Sequence, residues 1–174
     1  MEFLRPRRVF AKHLPKPERQ YNNGMRHIEG SSLWLGTARD ARDIPAVLNA
    51  GIEAVVDLAK LCEPVQPTRE LIYLRFPLVD GAGNPPWMIC AAIHAVEGLS
   101  RLGVPTLVAC DGGMSRAVVV AAAALWFKTP PTHLLDTVLG RVVADGPADV
   151  HPALWADVKR FVFTVCEAFY QPPS

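Results

Sequence analysis

Residues 106–126 read TLVACDGGMSRAVVVAAAALW, and this stretch decides the reading of the chain. A run of β-formers stops at Cys110, passes two glycines, and restarts as an alanine-rich helix headed by Arg116. The spacing predicts a strand, a tight arc and a helix in immediate succession. An arc of this kind puts the backbone amides of Asp111, Gly112, Gly113, Met114, Ser115 and Arg116 around one point at a helix N-terminus. N–H groups and the helix dipole then converge there, which is the local chemistry of an anion site, and a phosphate fits it. Gly112 and Gly113 are expected to supply the positive-φ conformations of the arc. Arg116 is expected to close the site with a bidentate fork onto two phosphate oxygens.

The same field acts on the thiol. A cysteine beside a helix N-terminus and an arginine ionises far more readily than a free one, which makes Cys110 a candidate nucleophile. Attack on a phosphate monoester gives a phosphocysteine and expels an alkoxide, a poor leaving group unless an acid protonates it. Asp80 is the candidate acid, at the end of the strand LIYLRFPLV and before the glycine-rich segment DGAGNPPW. It is expected to reach Cys110 because parallel strands joined by one crossover helix are neighbours. The same carboxylate then activates water in the second half-reaction, with Asp111 as the reserve acid. No cofactor and no metal enters this scheme, and the five histidines, at 13, 27, 94, 133 and 151, lack metal-ligand spacing.

Working outward, SSLWLG reads as a short strand and TARDARDIPAVLNAG as one helix, capped by Thr37 or Asp40 and stopped at Gly51. IEAVVDLA is a buried strand, CEPVQPTRE a proline-broken loop, and WMICAAIHAVEGLSRLG a helix with Ile89, Ala92, Ile93, Val96 and Leu99 on its apolar side. THLLDTVLGRVVA predicts a helix with Leu134, Leu135, Val138 and Val142 on one side. The last helix is expected from His151 to Phe169, with Leu154, Val158, Phe161, Val165 and Ala168 as its stripe. Alternating strands and helices imply an α/β fold with a central, mostly parallel sheet flanked by helices on both faces.

A length of 174 residues suits one well-buried domain, expected here over residues 31–174. Residues 1–30 hold seven Lys and Arg against three Glu and read as a basic, partly extended arm. RPRR at 5–8 is diluted by Pro6, Pro15 and Pro17 and lacks interleaved stacking aromatics, which argues against nucleic acid as a partner. No uncharged apolar run approaches the roughly 18 residues of a membrane span, and the first thirty residues have no signal-like apolar core. Cys62, Cys90, Cys110 and Cys166 stand far apart without a CxxC pair, so the expected setting is a reducing cytoplasm. Cys62, Cys90 and Cys166 read as buried structural cysteines.

Cys110, five residues and Arg116, with Gly113 and Ser115 between them, resemble the signature loop of cysteine-dependent protein phosphatases. The resemblance extends over about residues 31–170. LWLGTARDARDIPAVLNAGIEAVVDLA is similar to the opening strand, helix and strand of the dual-specificity branch. YLRFPLVD is similar to the segment carrying its acid, three residues after a proline, and DVHPALWADVKRF resembles its closing helix. The resemblance implies the cysteine-phosphatase fold, Cys110 as nucleophile, Arg116 as phosphate clamp, Asp80 as general acid, and the backbone of residues 111–116 as phosphate binder. It also implies a phosphorylated protein or another phosphate monoester as substrate.

Three positions depart from that pattern. Ala109 stands where the family usually has histidine, and Ala117 where it usually has Ser or Thr. The absent hydroxyl predicts slow hydrolysis of the phosphocysteine. Asp111 adds a negative charge beside the nucleophile and is expected to disfavour polyanionic substrates unless the basic arm compensates. Two other readings use the same stretch. GMSRA approximates the nucleophile elbow of α/β-hydrolases, with Ser115 as nucleophile and His133 or His151 as base of an esterase. A phosphate-binding pseudophosphatase would keep the cradle without turnover.

Overall fold

The computed structural model describes residues 24–66, 68–129, 133–144 and 146–163. Five strands form one sheet in the order β1-β2-β5-β3-β4. β1 is Arg26–His27, β2 Leu33–Thr37, β3 Ala54–Asp57, β4 Ile72–Arg75 and β5 Thr106–Cys110. β1 pairs antiparallel with β2, and every other pairing is parallel. The α/β architecture with a mostly parallel sheet is therefore as the sequence predicts. Sheet pairing starts at Arg26, inside the segment read as an arm.

Helices cover both faces, and the period-2 alternation of β5 divides its side chains between them. Leu107 and Ala109 face a smaller core with Met25, Ala41, Val47, Ile52 and Val55. Val108 and Cys110 face the larger core, where the helices α3, Pro86–Arg101, α4, Arg116–Trp126, and α6, Pro152–Phe161, contribute Ile93, Val120 and Leu154. Residues 116–124 of α4 are all buried, because its alanines let neighbouring helices approach from several sides. α5, Leu135–Ala144, packs along α4 through Leu135 and Val142.

The expected helix after β2 is two helices. α1 is Ala38–Arg42 and α2 is Ile44–Asn49, separated at Asp43 with φ −79° and ψ 72°. Pro45 has no N–H to donate to the Ala41 carbonyl and its ring crowds that carbonyl, so a continuous helix is interrupted before it. The Asp43 carboxylate caps α2 by accepting from the Ala46 amide at 3.1 Å. The cap of α1 is Thr37: its hydroxyl accepts from the Asp40 amide at 3.1 Å, and Asp40 accepts from the Thr37 amide at 2.7 Å.

Other differences are smaller. β4 ends at Arg75, five residues before Asp80, because Pro77 cannot donate to a ladder. Leu134 precedes α5 and is exposed rather than part of its packed side. α6 is described as far as its C-cap region, and Val165, Cys166, Ala168 and Phe169 lie outside the described residues, as do residues 1–23 of the arm. Among the described residues no helix is long and apolar enough to cross a membrane.

Thr37→Ala removes the capping hydroxyl of α1 and should destabilise the protein by about 1 kcal/mol. The check is the urea midpoint at unchanged m; an unshifted midpoint would show that the cap is dispensable.

Candidate active site

All four parallel strands end on the same side of the sheet, and the loop after β5 lies there. Cys110 is the last residue of β5, opposite Thr37, and is buried. The next five residues turn sharply into α4, which begins at Arg116. Gly113 has φ 70°, as its place in the arc requires. Gly112 is not among the positive-φ glycines, so one left-handed residue suffices for the turn, against the expectation of two. A Cβ at Gly113 would lie 3.0 Å from the carbonyl carbon and oxygen of Gly36, so the loop rests directly on the end of β2.

Asp80 reaches this loop by a route different from the one expected. β3 lies between β4 and β5 in the sheet, so the strands joined by α3 are not adjacent. After β4 the chain crosses the end of β3, tied by Phe76 N–H to the Asp57 carbonyl at 2.9 Å and Leu78 N–H to the Leu58 carbonyl at 3.2 Å. The Leu78 carbonyl then accepts from Arg116 Nη1 at 3.1 Å. Two residues later Asp80 Oδ1 accepts from the Ser115 hydroxyl at 2.6 Å. Asn84 fixes the turn after it, accepting from the Val79 amide at 2.7 Å and donating to the Val79 and Gly81 carbonyls. Asp80 itself is exposed.

Ser115 is buried, and its oxygen also accepts from the His151 amide at 3.1 Å. Because the hydroxyl is engaged by Asp80, Ser115 makes no side-chain cap on α4. The first turn of that helix therefore directs its amides and dipole toward the arc without a competing side-chain oxygen from Ser115. His151 contributes its amide to Ser115, while its ring accepts from the Ala153 amide at 3.2 Å. Among the described residues no imidazole hydrogen-bonds to Ser115, so the esterase reading lacks its base here. His133 touches Trp126 through its carbonyl.

Asp111 sits in a network that sequence reasoning missed. Its carboxylate forms an ion pair with Arg116 through Nη1, accepts from the Cys62 thiol at 3.0 Å, and from the Lys60 amide at 3.3 Å. Burial pushes its pKa up, but the bonds from Cys62 and Arg116 and the guanidinium charge outweigh this and hold it below the usual carboxylate value. Cys62 is thus a half-buried donor to the loop rather than the buried structural cysteine expected. Its thiol pKa is raised, chiefly by the bond to Asp111, with burial adding and Arg42 opposing. No signal in the sequence ties Cys62 to a residue 49 positions away. Ala109 and Ala117 are both fully buried, and neither site offers a side-chain hydrogen bond to the loop.

The chain matches no protein-family model, and no curated protein matches it in sequence. Its fold does match solved structures. The crystal structure of human DUSP28 superposes with a TM-score of 0.65 at 23% identity, covering 90% of this chain and 99% of that one. A mouse putative dual specificity phosphatase complexed with zinc tungstate gives 0.68 at 23%, covering 92% and 99%. DUSP15 gives 0.70 at 22%, covering 84% and 92%. The chain has the dual-specificity phosphatase fold.

A raised Cys62 pKa leaves little thiolate near pH 8, so iodoacetamide should modify Cys62 slowly there. Asp111→Asn removes the main cause of the rise and should speed that modification, read residue by residue by mass spectrometry. An unchanged rate would break the link between the two side chains.

Proposed function

We propose that this chain, which has the fold of dual-specificity phosphatases, is a cysteine-dependent phosphatase that hydrolyses phosphate monoesters in two covalent steps. The observation that carries this reading is the segment 78–80. It brings a carbonyl to Arg116 and a carboxyl to Ser115, on the same short loop that begins at Cys110. A candidate nucleophile, a candidate clamp and a candidate acid thereby meet around one helix N-terminus.

In the first step the substrate phosphate occupies the arc of residues 111–116, held by backbone amides and by Arg116. The Cys110 thiolate forms the S–P bond as the ester P–O bond breaks, and Asp80 gives its proton to the departing oxygen. In the second step the Asp80 carboxylate takes a proton from water, whose oxygen attacks phosphorus and releases Cys110. Ser115 acts as a positioning residue, since its hydroxyl holds Asp80 while the His151 amide holds the hydroxyl. Thiolate release carries the weakness of this chain. Ala117 presents no hydroxyl toward the sulfur, so the second step should be the slow one.

The substrate is a phosphorylated protein or another phosphate monoester, and the setting expected for a free thiol of this kind is the cytoplasm. The reading that competes on a specific observation is a phosphate-binding protein without turnover, supported by the buried alanines at 109 and 117.

Wild type should turn over p-nitrophenyl phosphate in EDTA with vanadate inhibition, and Cys110→Ser should abolish the rate. Asp80→Asn should cost about 10²- to 10⁴-fold on an alkyl phosphate, whose leaving group needs a proton. An unchanged rate for Asp80→Asn would remove Asp80 from the mechanism. Binding without turnover in a folded wild-type protein would leave the non-catalytic reading. Rapid mixing should show a burst of p-nitrophenol before a slower steady state; a linear trace would mean that thiolate release is not limiting.

A further inference from the structure

Arg116 already holds an anion, and that anion belongs to the protein. The Asp111 carboxylate pairs with its Nη1, which also donates to the Leu78 carbonyl, while the Nε is buried without a hydrogen-bond partner. Asp111 is tethered by two further donors, the Cys62 thiol on Oδ1 and the Lys60 amide on Oδ2, the oxygen that Arg116 also bonds. The arginine is only 8% exposed and the aspartate 20%, so this contact is poorly screened by solvent.

We propose that Asp111 is an affinity-setting residue, a resident counter-anion that the phosphate group must replace on Arg116. This rests on the reading of Arg116 as the phosphate clamp. An entering tetrahedral anion uses the fork of the guanidinium, and the carboxylate keeps its bonds to Cys62 and Lys60 while losing the one to Arg116. The carboxylate therefore need not move into solvent. Exchange subtracts the free energy of one charge-assisted contact from the binding of any ligand, whatever its charge. Every anion then binds more weakly by the same factor, and occupancy falls to ligands with further favourable contacts. Through-space repulsion between Asp111 and the ligand behaves differently, because it doubles for a doubly charged ligand.

That difference gives the test. Tungstate and perrhenate are tetrahedral oxyanions of nearly the same shape with two charges and one. Their binding is measured by calorimetry on Cys110→Ser protein, with Asp111 intact and with Asp111→Asn or Asp111→Ala. Exchange predicts that both substitutions tighten both anions by about tenfold or more, with the tungstate factor well below the square of the perrhenate factor. A tungstate factor near the square of the perrhenate factor would overturn exchange in favour of repulsion, and so would no gain or a loss in affinity. Neither anion binding at any residue 111 would overturn the phosphate cradle itself, and this proposal with it. A second readout needs no change at Asp111. Saturating tungstate should slow alkylation of Cys62, since a carboxylate freed from Arg116 draws harder on the thiol; an unaltered rate would count against exchange.

Discussion

The candidate site depends on how closely the loop after β5 lies on the end of β2. Gly113 adopts φ 70° where a Cβ would run into the Gly36 carbonyl, and any side chain there would have to displace strand backbone rather than another side chain. That contact fixes the curvature of the arc, and the curvature sets where the amides of residues 111–116 point. The partner strand is itself braced at this place. Thr37, the residue after Gly36, is both the register partner of Cys110 and the cap of α1, so the candidate nucleophile and the helix start share one anchor.

A second layer is built from the chain between β4 and α3. Residues 76–80 cross the end of β3, attached by Phe76 and Leu78, and so bring the Leu78 carbonyl and the Asp80 carboxyl to a loop that β4 does not adjoin. Asn84 closes the turn behind Asp80 with three hydrogen bonds to backbone. The carboxyl of Asp80 remains exposed while the backbone on either side of it is held. On the other side of the loop, Cys62 and Lys60 restrain Asp111. Arg116 lies between the two sets, bonded to one member of each.

Much of this was legible in residue order. The TLVAC strand, the glycine arc and the alanine-rich helix have local causes, namely β-propensity, one left-handed residue and small buried side chains. The proximity of Asp80 to the loop is legible too, although not through adjacent strands, since β3 lies between β4 and β5. Thr37 was one of two caps considered, and capping geometry selects it. The break at Asp43 is readable from Pro45, although the caps at Thr37 or Asp40 and the stop at Gly51 frame the segment as one helix. What lay beyond sequence reasoning were contacts set by tertiary structure alone. Cys62 reaches Asp111 across 49 positions and Ser115 reaches Asp80 across 35, and neither separation leaves a periodic or motif signal.

The central claim is that Cys110 carries a phosphoryl group during turnover. The most direct measurement is mass spectrometry of protein mixed with p-nitrophenyl phosphate, quenched within the first turnover, digested, and searched for a phosphoryl adduct peptide by peptide. The account predicts the adduct on the peptide containing Cys110, at the sulfur, accumulating because its hydrolysis is slow. Turnover with the phosphoryl group on Ser115, or with none on Cys110 throughout the burst, would contradict it.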